Sequence, residues 1–190
     1  MMDDTKERIL AAAQALIQRQ GYNGFSYRDI AAEVGIRSAS IHYHFPTKAD
    51  LGAAVGARYL ERFMDDLRSA EAEAPGTSAL LARYVSLFRA ALTDDGRMCL
   101  CGMLGAEMGS LPSEVALEAR RFFEVNTQWL SNLLAQAGPD TGFEALSAPE
   151  TEARLFLAAL EGGMILAKAA SDATIFDEVA DAALRGLEGA

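Results

Sequence analysis

The chain is poor in the residues that most often carry chemistry. Its 190 residues include two cysteines, two histidines, five prolines and one tryptophan. Cys99 and Cys101, two positions apart, are too few and too close for a disulfide framework. That spacing suits a reducing compartment, and a cytoplasmic location is expected. Both histidines, His42 and His44, fall in one short stretch, so no imidazole is left elsewhere to act as a general base. They form no His-x-x-x-His pair, and no Cys-x-x-Cys accompanies them, so no metal site is expected. A Ser/His/Asp set and a glycine-rich cofactor loop are missing too, which argues against an enzyme and against a bound cofactor. No run of about 18 apolar residues goes unbroken, so no membrane partner is expected. The most apolar stretch, 155–170, carries Glu161 and Lys168 and reads as a buried helix. The opening MMDDTKERILAAA has acids where a secretory signal has bases, so none is expected.

What is present favours helices. Hydrophobic residues make up 51% and charged residues 23% of the chain. Ala, Leu, Glu and Arg are abundant and long β-branched runs are absent, a composition of the all-α class. The net charge of −10 speaks at first against nucleic acid. Its placement answers that objection. Residues 1–50 carry six basic side chains (Lys6, Arg8, Arg19, Arg28, Arg37, Lys48) and six acidic ones (Asp3, Asp4, Glu7, Asp29, Glu33, Asp50), so the whole excess lies beyond them.

Asp4 to Gln20 has an apolar stripe at helical spacing, Ile9, Ala12, Ala13, Leu16 and Ile17, and Gly21 ends it. Ser26 is placed as an N-cap, with Asp29 three residues on, for a short helix from Tyr27 to Val34. Gly35 closes that helix. A second short helix, about Ser38 to His44, is stopped by Phe45-Pro46. Thr47 and Asp50 form another capping pair, opening a long helix from Lys48 to about Glu73. After a turn at Pro75-Gly76, helices are expected over about Ser78–Leu92, Arg97–Gly109, Ser113–Gln136, Pro149–Ala170 and Thr174–Leu187, with a loop over Gly138–Ser147.

Two short helices joined at Gly35 have the plan of a helix-turn-helix. Ile30, Val34, Ile36 and Ile41 supply its apolar joint. The second helix offers Arg37, Ser38, Ala39, Ser40, His42, Tyr43 and His44. Small residues let a helix sink into a major groove, and Ser, His and Ala can meet base edges, phosphates or a thymine methyl. The open amides of that helix, and of the one starting at Lys48, favour phosphate oxygens. The run FSYRDIAAEVGIRSASIHYHFPTKADL, within about residues 5–55, resembles the DNA-binding signature of TetR-family regulators.

That resemblance implies an all-α homodimer of nine helices, with a DNA-binding domain over 1–46 and an effector-binding and dimerisation domain over 47–190. It implies a double-stranded operator with an inverted repeat, a small-molecule effector of unknown identity, and a repressor's mode of action. Carried over by position, Tyr27 and Arg28 lie near the DNA backbone, residues 37–44 form the recognition helix, and Tyr43 and Lys48 meet phosphates. Ile41 takes an apolar position. The plainer alternatives are half-buried aromatics for Tyr27 and Tyr43 and solvated residues for His42 and His44, while Ser26 and Thr47 are caps first and DNA contacts second.

Beyond the reader, two faces stand out. Leu155, Ala158, Ala159, Gly162, Gly163, Leu166 and Ala170, with Ile175, Phe176 and Val179, form a small and apolar surface suited to close helix approach, either across a dimer or within one core. Phe63, Tyr84, Phe88, Met98, Met103, Met108, Phe122, Phe123 and Trp129 suit an apolar or aromatic effector or an ordinary core, with Glu107 and Asn126 as polar handles if they point inward. Cys99 and Cys101 leave open a redox or electrophile-sensing regulator, against which stands the inertness of buried thiols. A non-DNA-binding helical adaptor is disfavoured by the intact reader helix.

Overall fold

The computed structural model describes residues 2–73, 76–93, 96–136 and 148–188. The expected loop over 138–147, Pro75 and the pair Asp94–Asp95 lie outside the described residues. Among those described there are nine α-helices, one 3-10 turn and no strand. The helices are α1 (Met2–Gln20), α2 (Tyr27–Val34), α3 (Ser38–His44), α4 (Lys48–Glu73), α5 (Thr77–Thr93), α6 (Leu100–Ala106), α7 (Ser113–Ala135), α8 (Pro149–Ala170) and α9 (Thr174–Glu188). The expected helix over 97–109 is shorter at both ends. Residues 97–99 precede α6, and Met108–Ser110 form the 3-10 turn. Leu111, before Pro112, is extended at φ −78° and ψ 145°, the conformation a following proline imposes.

The sequence reading sets a boundary at 46/47. Compactness divides the chain differently. One unit comprises residues 1–61 and 100–122, the other 62–99 and 123–190, so α4 and α7 each contribute to both.

In the first unit, Ile9, Ala13 and Ile17 of α1, Ile30 of α2, Ile41 of α3, Leu51 and Val55 of α4 and Leu100 and Leu104 of α6 share one core and are almost wholly buried. α2 begins on a capping pair: Asp29 accepts from both the Ser26 amide and the Ser26 hydroxyl at 2.7 Å. It ends at Gly35, where φ is +73° and ψ 36°, a left-handed turn that glycine adopts without a Cβ clash. The Gly35 and Ile36 amides both donate to the Ala31 carbonyl at 3.0 Å, closing the helix and turning the chain into α3. The Arg8 guanidinium donates to the Val34 carbonyl at 2.5 Å, satisfying a helix-end acceptor.

In the second unit, Tyr84 and Phe88 of α5, Leu130 and Leu134 of α7, Phe156, Leu160 and Met164 of α8 and Phe176 of α9 are buried. α8 and α9 form a helical hairpin across a three-residue connector, and Asp172 caps α9 by accepting from the Thr174 amide at 2.9 Å and its hydroxyl at 2.7 Å. No helix among the described residues is long and apolar enough to cross a membrane.

Candidate functional site

The helix-turn-helix presents α3 by burying one side of it. Ile41 is fully buried, and at 100° per residue the side opposite Ile41 carries Ala39 and Tyr43. Tyr43 is 73% exposed, the most exposed large hydrophobic side chain described. Ser38 and His42 flank that crest on one side, Ser40 and His44 on the other. Ala39 and His42 are exposed, while Ser38, Ser40 and His44 are half-buried. Tyr43 stands edge-on to His44, with ring centroids 5.2 Å apart. Arg37 caps the start of α3 in extended conformation, and its side chain and that of Arg28 are exposed. The seven residues expected to read DNA therefore lie together on one element, with four of them fully outward.

Tyr27 is half-buried at the start of α2. Its hydroxyl reaches back across the motif, sharing one O–H between the Phe45 carbonyl at 2.9 Å and the Thr47 carbonyl at 2.6 Å. Burial, with the Asp50 carboxylate and Tyr22 adding to it, pushes its pKa up to about 12, so it remains a donor at all ordinary pH. Its ring packs at a tilt against that of His42, with centroids 4.6 Å apart, and His42 Nδ1 lies 3.3 Å from the Pro46 carbonyl. Tyr27 thus braces the turn between α3 and α4. A single sequence gives little signal for this, because the acceptors are backbone carbonyls 18 and 20 residues away.

Lys48 also turns inward. Its ammonium donates to the Phe25 carbonyl and lies 4.2 Å from the Phe25 ring centroid and 4.8 Å from that of Tyr22. Burial lowers its pKa, and the Glu107 and Asp29 carboxylates oppose that shift. An ammonium has three donors, so a phosphate contact remains compatible with the Phe25 bond. Thr47 and Asp50 make a reciprocal box at the start of α4: the Thr47 amide donates to Asp50 at 3.0 Å, and the Asp50 amide donates to the Thr47 hydroxyl at 3.0 Å.

The candidate effector residues divide between the two units. Phe63, Tyr84, Phe88, Met98, Phe123, Asn126 and Trp129 belong to the second; Met103, Glu107, Met108 and Phe122 belong to the first. Tyr84 is the hub of the second set. It stacks on Trp129 at 5.6 Å, with Phe63 at 5.3 Å and Phe88 at 5.4 Å, and its hydroxyl donates to Asn126 Oδ1 at 2.9 Å. Phe122 instead meets Tyr59 at 5.5 Å. Glu107 is not an inward handle of that aromatic set: it accepts from the Tyr22 amide at 2.9 Å and pins the 3-10 turn region to the α1–α2 connector. Cys99 and Cys101 are both buried, with no disulfide. Cys99 faces the carboxyl of Glu161, whereas a reactive thiolate is favoured by basic neighbours.

The expected dimer face divides as well. Leu155 and Leu166 are 59% and 56% exposed, Ala158 is exposed, and Ala159, Gly162, Ile175 and Val179 are half-buried. Gly163 and Phe176 are buried within the chain's own α8–α9 packing. A Cβ on Gly163 would come within 3.2 Å of Val179 and 3.4 Å of Phe176. Ile165, 59% exposed, joins the outward stripe, a residue that the periodicity reading passed over.

Comparison with known proteins agrees with this geometry. Residues 9–55 match the family described as bacterial regulatory proteins, tetR family. The HTH-type transcriptional regulator LmrA of Bacillus subtilis is 30% identical over 176 residues, covering 90% of each chain. A TetR-family regulator from Agrobacterium tumefaciens superposes with a TM-score of 0.91 at 32% identity, covering 98% of this chain and 99% of that one. A TetR regulator from Legionella pneumophila does so with a TM-score of 0.87 at 33% identity, covering 96% of each.

Proposed function

Because the chain belongs to the TetR family of regulators, which bind DNA and act as dimers, we propose that it is an operator-binding repressor released by a small, mainly apolar or aromatic effector. The observation that carries the DNA-binding part is the crest of α3. Ala39 and Tyr43 stand outward from a helix anchored on its other side by Ile41, while Tyr27 fixes the turn that follows. In this reading Ser38, Ala39, Ser40, His42 and His44 meet base edges, and Arg28, Arg37, Tyr43 and Lys48 meet phosphates. Two copies related by a two-fold axis would set two α3 helices on an inverted repeat. The exposed stripe of α8, Leu155, Ala158, Gly162, Ile165 and Leu166, supports a contact with the second copy. The aromatic set around Tyr84 supports an apolar effector, which would act by binding one of two arrangements of the dimer more tightly than the other. DNA as partner places the protein with the DNA, in the cytoplasm.

Selection of duplexes from a random pool tests this reading. The expected product is an inverted repeat. Tyr43→Ala removes a phosphate contact and weakens binding to all duplexes about equally, without changing the salt slope. Arg37→Ala weakens all duplexes alike and reduces the salt slope by about one. Failure to enrich any sequence, or binding untouched by both substitutions, refutes the assignment.

A further inference from the structure

The most apolar helix of the chain buries an acid. Both carboxyl oxygens of Glu161 are out of solvent, and neither makes a hydrogen bond of normal geometry. The Cys99 thiol, a weak donor, faces it. From α5, Tyr84 lies within electrostatic reach of both Glu161 and Cys99. Tyr84 is in turn surrounded by Trp129, Phe63, Phe88 and, at 6.2 Å, Phe156. A carboxylate in such surroundings costs several kcal/mol unless a positive charge joins it. No basic group is among those that shift the Glu161 carboxyl. The basic side chains of α5 and α8 are engaged elsewhere: Arg83 with Asp66, Arg89 with Asp177, Arg154 with Glu150 and Lys168 with the Gly96 carbonyl.

We propose that this cluster is the polar end of the effector site and that the effector is a hydrophobic organic cation, a substituted ammonium whose charge sits on Glu161 and whose body lies against the rings around Tyr84. The assignment rests on the reading that the chain answers to a small molecule, and it narrows the chemical class of that molecule. Aromatic faces attract cations, more strongly when desolvated. An anionic effector would meet a carboxyl group whose oxygens accept no hydrogen bond of normal geometry. The net charge of −10, all of it beyond residue 50, draws cations toward this part of the chain and repels anions.

Burial pushes the Glu161 carboxyl up to about 7, against a smaller opposing pull from Cys99. A cation bound there holds the carboxylate form, so binding expels a proton. Affinity therefore rises about tenfold per pH unit below pH 7 and levels off above it. The other titratable groups facing this cluster are the Cys99 thiol and the Tyr84 phenol. Burial raises Tyr84 well above its usual value, so the phenol stays neutral across that range.

Trp129, the one tryptophan, stacks on Tyr84 and reports on the site. The full chain is titrated with benzyltrimethylammonium and with its neutral isostere neopentylbenzene, reading Trp129 fluorescence and release of a pool-selected duplex. The ammonium is expected to bind at least about tenfold more tightly than the isostere at about pH 7.5, and to lose roughly tenfold by about pH 6. Glu161→Gln is expected to abolish both the preference and the pH dependence while leaving the isostere's affinity and duplex binding intact. The wild-type pH profile keeps the test sound if that variant folds poorly. Equal binding of the two probes, no binding of either, or a preference that survives Glu161→Gln overturns the assignment. Release by the isostere alone overturns it too, while leaving the ligand-responsive reading standing. Ammonium binding without duplex release supports the site and refutes ligand responsiveness.

Discussion

Two side chains show how much a single group's surroundings matter. Glu161 titrates at about 7 in the folded chain against an ordinary 4.5. A carboxyl group raised on folding contributes stability that is fully present below its unfolded value and is lost as pH rises through the folded one. The shift corresponds to at most about 3 kcal/mol. Thermal unfolding should therefore fall in temperature between about pH 5 and pH 8 in the wild type, and the Glu161→Gln variant should lose most of that slope. Equal slopes in the two proteins would place the titration elsewhere. Tyr27 makes the opposite kind of contribution, a neutral donor held by two carbonyls. Tyr27→Phe should cost about 0.5–1.5 kcal/mol in chemical denaturation. It should weaken operator binding without changing the salt slope, because no charge is lost. Weakened binding at unchanged stability would instead mark the Tyr27 hydroxyl as a direct DNA contact.

At the scale of elements, the chain uses glycine and small residues in two distinct ways. Gly35 is required by conformation, since nothing lies within 4 Å of where its Cβ would stand and only its left-handed backbone demands glycine. Gly163 is required by space, where α8 meets Val179 and Phe176 of α9. Gly163→Val should therefore destabilise the hairpin by about 1–3 kcal/mol through overpacking. The monomer–dimer balance, corrected for unfolded chain, should stay as it is, as measured by sedimentation. A pure loss of dimer at unchanged stability would return Gly163 to the interface. Glu107 teaches a related lesson: its bond to the Tyr22 amide joins residues 85 apart in sequence, so α6 and the 3-10 turn help to seat the α1–α2 connector.

At the scale of the whole molecule, the exposed stripe of α8 is the feature that a monomer leaves unexplained. Leu155, Ile165 and Leu166 are each more than half exposed and lie on one side of a single helix, alongside Ala158 and Gly162. Leu155→Glu together with Leu166→Glu should leave the monomer's fold intact, because neither side chain is in its core. It should shift the protein to monomer at micromolar concentration and weaken operator binding by two orders of magnitude or more, roughly the loss of one half-site's contribution. Sedimentation and anisotropy on the selected duplex measure both effects. A dimer that survives the double substitution would move the interface to another surface. The acidic remainder of the chain adds that non-specific DNA binding should be weak, leaving affinity to a few placed groups.

Helix positions, caps and the reader were legible in the sequence because they depend on neighbours within about four residues. Ser26 with Asp29, Thr47 with Asp50, Gly35 at the turn and proline after Phe45 each carry their own local physics, and the helix-turn-helix follows from their order. The outward setting of Ala39, His42 and Tyr43 likewise follows once Ile41 is given the buried side. Tertiary structure alone decided which partners distant side chains take. It turned Tyr27 and Lys48 onto backbone carbonyls and gave Glu107 to an amide of the α1–α2 connector. It used Gly163 and Phe176 within one chain and set Glu161 against Cys99 in an apolar interior. Glu161 was visible as an acid in an apolar helix, but periodicity does not say which neighbours a side chain meets. Those contacts join groups far apart in the chain, and packing selects them by shape and burial rather than by spacing.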